Sequence, residues 1–141
     1  MRQAAIAISF ALVLAVPVAA RAETWGSRDG KCEVTAPAGW KQGPAGKGSV
    51  VSADGKSDAW VDGNELSFDM FRQAILPSLK ATKVIKSTAT YYAAELPAGG
   101  NKQRLYIITA RGKAATCRVE LHYDAKDAAA AKKIGDSLKV K

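Results

Sequence analysis

The residues best suited to chemistry are few. The chain has one histidine, His122, two cysteines, Cys32 and Cys117, and a run of acids at Asp54, Asp58, Asp62, Glu65 and Asp69. Acyl transfer needs a nucleophile and a base held by a partner, yet no G-x-S-x-G elbow accompanies His122. His122 follows Glu120 and Arg118 on the polar side of an alternating segment, where an ordinary cross-strand role accounts for it. A zinc site needs more His and Cys ligands than this chain supplies. Asp58 and Asp62 fit the first and fifth places of a calcium loop, but Trp60 occupies the third. Turn residues and helix-start charges explain these acids more simply, and nothing selects a pair for glycoside cleavage. Gly43 to Ser49 superficially suggests a phosphate loop. That loop would need Gly at 41 and Ser or Thr at 48, where the chain has Lys41 and Gly48. The sequence therefore assigns no catalytic residue, no metal ligand and no cofactor.

The elements that would position these residues follow from periodicity. In residues 114–123, Cys117, Val119, Leu121 and Tyr123 alternate with Thr116, Arg118, Glu120 and His122, a strand with one buried face. Cys32, Val34 and Ala36 make a shorter strand of the same kind, after an irregular polar start at 23–31. Residues 49–53 and 58–61 read as a hairpin around Asp54-Gly55-Lys56. Residues 66–80 read as a helix capped by Ser67 and kinked or split at Pro77. Residues 83–96 read as two short strands or one bent strand, Pro97 to Asn101 as a turn, and 103–110 as a strand. A three-residue loop at 111–113 would oppose Ile107 to Cys117 and Leu105 to Val119, with Tyr106 meeting Arg118 and Arg104 meeting Glu120. Asp124 would cap a last helix whose stripe of Ala128, Ala131, Ile134, Gly135 and Leu138 packs closely on a sheet. The fold class expected is α+β: an antiparallel sheet of about five to seven strands flanked by a mid-chain and a C-terminal helix.

The ends and the charge narrow the setting. Arg2, an apolar run from Ala4 to Val16 and the A-x-A site Ala20-Arg21-Ala22 read as a signal peptide over 1–22, cut between Ala22 and Glu23. The run is shorter than the roughly 18 residues of a membrane span. One exported domain over 23–141 is expected, periplasmic or secreted, with no transmembrane segment after processing. Losing Arg2 and Arg21 lowers the formal charge from +8 to +6. The Lys and Arg residues are scattered singly, which favours a solvated surface over a nucleic-acid site. Export places Cys32 and Cys117 in an oxidising compartment, where a pair closes, so a Cys32–Cys117 bridge is expected. A metal-bound or reactive thiol is the alternative.

Cys32-x-Val34-x-Ala36-Pro37-x-Gly39-Trp40, the hairpin, the mid-chain helix, the meander and the ending Ile134-Gly135-Asp136-Ser137-Leu138-Lys139 together resemble the PsbP-like superfamily. That group includes the photosystem accessory protein, a Ran-binding nuclear import factor and DcrB-type bacterial envelope proteins. The resemblance implies an antiparallel sheet with helices on both faces. The chain departs from the lipidated members in having no cysteine after the cleavage site, and its cysteine pair does not map onto the family. Members have unrelated roles, so the fold carries little functional weight.

A binding surface is the remaining functional signal. Trp40, Trp60, Tyr91 and Tyr92 lie near turns, and Arg104, Arg111, Lys113 and Arg118 are expected to gather around the last hairpin. The leading reading is a non-catalytic envelope domain that binds or supports a protein partner. The alternatives are a ligand-binding or hydrolytic protein using the Gly-rich loop 41–48, and a domain that binds polyanions or anionic surfaces.

Overall fold

Alternation of apolar and polar residues builds most of this molecule. A computed structural model describes residues 21–141; apart from its last two residues, the expected signal peptide lies outside them. In chain order the strands are β1 (Glu23–Gly26), β2 (Cys32–Ala36), β3 (Lys41–Gln42), β4 (Ser49–Val51), β5 (Asp58–Asn64), β6 (Lys83–Ser87), β7 (Tyr91–Gly99), β8 (Lys102–Arg111), β9 (Ala115–Tyr123) and β10 (Lys139–Val140). Between β5 and β6 runs a helical segment: an α turn, α1 (Phe68–Met70), a π turn (Phe71–Ile75) and a 3-10 turn (Leu76–Leu79). After β9 a 3-10 turn (Ala125–Asp127) leads into α2 (Ala128–Asp136).

Seven strands form one antiparallel sheet in the order β3-β4-β5-β9-β8-β7-β6, and β1-β2-β10 form a second. The α+β class and the seven-stranded sheet agree with the sequence. The small sheet corrects it. Residues 23–26 are a strand and not irregular, and Lys139–Val140 pairs with Glu33 and Cys32. Two-residue strands have no readable period, and β1 is exposed over its first half.

Each face of the large sheet carries its own core. On one face Val61, Ala93, Leu105, Ile107, Val119 and Leu121 pack against Val34 and Ala36 of β2 and Ala131 and Ile134 of α2. On the other, Tyr92, Ala94, Leu96, Tyr106 and Ile108 pack against Phe68, Phe71 and Leu76 of the helical segment. Consecutive residues of β7 and β8 therefore serve opposite cores, as the two-residue period requires. The Cys32–Cys117 disulfide crosses the first core, with Cα atoms 5.6 Å apart and both side chains fully buried.

The last hairpin keeps the expected parity but not the expected register. Ile107 faces Val119 and Leu105 faces Leu121, because Arg111 still pairs with Ala115 and the loop is Gly112 to Ala114. Gly112 takes the left-handed conformation (φ 67°) that opens the loop. A shift of two residues leaves every side chain on its predicted face. At the preceding turn β7 continues past Pro97 through an irregularity to Gly99, which pairs with Lys102.

Ser67 caps the helical segment as expected, its Oγ accepting from the Met70 N–H at 3.2 Å. Pro77 lacks an N–H and crowds the turn before it, and regular α geometry gives way to the π and 3-10 turns there. Asp124 does not cap α2 with its side chain. Instead the Asp124 N–H donates to Ser57 Oγ, and Ser57 Oγ donates to Asp127 Oδ2 at 2.5 Å.

Gly135 sets the approach of α2 to the sheet. A Cβ there would stand 2.6 Å from Ile107 Cδ1 and 3.2 Å from Leu105 Cδ2. Gly135→Val is expected to cost about 1–3 kcal/mol by overpacking. Urea unfolding should show a lower midpoint with an unchanged slope; an unchanged midpoint would mean that α2 sits more loosely than this contact requires.

Candidate functional site

The polar face of the β5–β9 pair holds most of the residues that could do chemistry. Register places Asp58 opposite His122, Trp60 opposite Glu120 and Asp62 opposite Arg118. His122 Nδ1 lies 3.0 Å from Asp58 Oδ1, and its Nε2 lies 3.4 Å from Glu120 Oε1. Arg104 reaches Glu120 at 2.5 Å and Arg118 reaches Asp62 at 3.0 Å. Both ring nitrogens of His122 thus face carboxylates, an arrangement that orients an imidazole without giving it a hydroxyl or thiol to activate. Trp60 Nε1 donates to Asp58 Oδ1 at 3.0 Å, which holds the half-exposed indole at the margin of this face.

The residues expected to form one binding surface are dispersed. Trp40 and Tyr92 are buried, which corrects their reading as exposed aromatics. Gly39 (φ 90°) turns the chain so that the Trp40 indole enters the first core, and Tyr92 faces the helical segment. Arg104 and Arg118 share the polar face. Arg111 lies on the opposite parity of β8 and pairs with Glu65 at 2.9 Å, so it does not join them. All three arginines are matched by acids of the chain itself. The Gly-rich loop is closed on itself: Gly43 N–H donates to Ser49 O, Gly46 N–H to Gly43 O and Ser49 N–H to Gly46 O. Arg28 donates to the carbonyls of Ala45 and Lys47 and pins the loop from outside. Those amides already have partners and make no anion cradle.

Tyr91 leads to a different place. On the face of the large sheet that carries the disulfide, β2 and α2 cover the middle strands and stop. On the other face the helical segment covers β7 and β8. The outer strands β6 and β7 therefore stay open beside α2, and a groove of about 500 Å³ runs between them. Ala93, Leu105 and Ile107 form its floor, Tyr91 and Tyr123 its sides, and Ile85 its lip. Lys83, Lys86 and Lys132 stand around the rim with Glu95 and Asp136. Burial, then the nearby Asp136 charge, pushes the Tyr91 hydroxyl above its ordinary range. Burial and then Glu95 do the same for Tyr123. Both phenols stay protonated at neutral pH and present hydroxyl donors to the groove. Lys86 Nζ lies 5.3 Å from the Tyr91 ring centroid, a cation–π contact, and Lys132 pairs with Asp136 at 2.5 Å.

Of these groove-lining residues, Tyr91 is among the aromatics that the sequence singles out, and Lys83, Ile85 and Lys86 are not. Their one available signal was an exposed apolar pair, Val84 and Ile85, set between lysines in a strand.

A small sheet and a helix cover one face of a seven-stranded antiparallel sheet, a helical segment covers the other, and this arrangement is similar to that of a solved PsbP structure. The solution structure of cyanobacterial PsbP (CyanoP) from Synechocystis sp. PCC 6803 matches with a TM-score of 0.51 at 12% identity, over 95% of this chain and 99% of that one. A crystal structure of a protein from Bacteroides thetaiotaomicron VPI-5482 matches with a TM-score of 0.58 at 13% identity. That match covers 86% of this chain and 49% of the Bacteroides chain, so this chain spans about half its length. No protein-family model and no curated protein matches the sequence. At these identities the likeness establishes the fold. No helix among the described residues is long and apolar enough to cross a membrane.

Proposed function

We propose that this protein is an exported, non-catalytic binding domain that holds a segment of a protein partner in the groove between α2 and the β6–β7 hairpin. The groove carries the reading: it combines an apolar floor with a charged rim where both covering layers end. The buried disulfide and the N-terminal signal pattern support an extracytoplasmic setting. The PsbP-like fold is compatible with an accessory role.

The test uses an exposed residue. Ile85 is 52% exposed, so Ile85→Glu changes the groove lip without opening a core. In affinity pull-downs from envelope extract, this change is expected to lower recovery of the partner about tenfold, as loss of a central apolar anchor does. Trp60→Ala, on the polar face, should leave recovery unchanged. The reverse pattern, with Trp60 required and Ile85 dispensable, would move the binding surface to the β5–β9 face and overturn this reading.

A further inference from the structure

We infer that the segment held by the groove is an acidic, extended stretch of polypeptide that adds to the free edge of β6. This inference rests on the groove being the binding site. β6 ends the seven-stranded order, so its outer row of backbone N–H and C=O groups has no strand neighbour among the described residues. The groove lies directly inside that edge. An irregularity in β6 places Lys86 opposite Ala93 while Lys83 stays opposite Glu95, and Ile85 bulges between them. All three side chains consequently border the groove.

Charge selects the occupant. Lys132 is held by Asp136, whereas Lys83 and Lys86 make no ion pair among the described residues. Pairing this edge with a second copy of β6 would bring lysine-bearing strands together, and like charges across a pair are destabilising. The same lysines favour a strand bearing Asp or Glu, with apolar side chains on the same face to meet Ile85 at the groove lip. An acyl chain could use the floor, and a phosphate could use the lysines. Only an extended polypeptide uses the open backbone edge as well.

Random dodecapeptides displayed on phage and selected on the intact protein provide the probe. The expected winners carry acidic and large apolar residues together at every second position, sharing the one strand face that meets the groove, and their binding falls about tenfold on Ile85→Glu or on Lys83→Glu with Lys86→Glu. The charge-reversed pair should instead select basic peptides, and N-methylation of alternate backbone amides should abolish binding to the original protein. Winners that need Ile85 but carry no acidic bias, or that tolerate N-methylation, would overturn the acidic-strand inference while leaving the groove as the site. Winners indifferent to Ile85 and to both lysines would overturn the groove as well. Displacement of the peptides by phosphatidylglycerol vesicles, but not by phosphatidylcholine vesicles, would assign the lysines to a membrane surface and overturn the inference.

Discussion

Reducing the Cys32–Cys117 bridge is expected to lower the free energy of unfolding by about 4–5 kcal/mol, the chain-entropy value for a loop of this length. The two residues are 85 apart in sequence. Their bond joins β2, in the small sheet, to β9, in the middle of the large one. Among the described residues no strand ladder connects those sheets. What remains between them is apolar packing, with α2 tied to β2 by the Thr35 N–H donating to Ser137 Oγ at 2.7 Å. Domains of this size are stable by only about 5–15 kcal/mol, so the reduced protein should sit close to the unfolding threshold. Guanidinium unfolding with and without reductant, together with a double Cys32→Ala and Cys117→Ala variant, measures the effect. A loss below about 1 kcal/mol in both would mean that the two sheets hold together without the covalent tie.

The second large effect is expected at Phe71. Its ring is 1% exposed, the most completely buried side chain of the helical segment. Phe71→Ala should cost about 3–5 kcal/mol. The loss should be confined to the second core, because the helical segment touches the sheet only on that face. Arg72 would still donate to the carbonyls of Thr88 and Ala89, which tethers the segment to the β6–β7 turn. Hydrogen exchange should therefore accelerate across residues 68–79 while the amides of β2 stay protected. Equal acceleration in β2 would show that the two cores melt as one unit.

Much of this fold could be read from the residues because the two-residue period leaves little freedom. The parity of β8 and β9, the Ser67 cap, the Cys32–Cys117 pair and the flat packing surface of α2 all follow from local rules. The errors arise where geometry is set from a distance. The hairpin register slipped by two because Gly112 begins its loop and Arg111 remains in the strand. Trp40 and Tyr92 look available in a linear chain, and only the third dimension buries them. The groove was illegible for the same reason. It exists because α2 and the small sheet end before β6 and β7 do, and no single segment encodes that. Lys83 and Lys86 read as ordinary surface charges until the sheet order makes β6 an edge.

The small sheet has a consequence for how the molecule is made. β2 is flanked by β1 on one side and by β10 on the other, so residues from both extremes of the described chain must meet around it. A chain that emerges from its N-terminus first can form the β7–β8–β9 meander from neighbouring residues. It cannot close the first core until α2, Lys139 and Val140 have followed. Such long-range closure is slow compared with forming local hairpins. Oxidation of Cys32 must also wait for Cys117. The first core therefore closes only after α2 and β10 have been made, with β2 held between a strand just before it in sequence and one far after it.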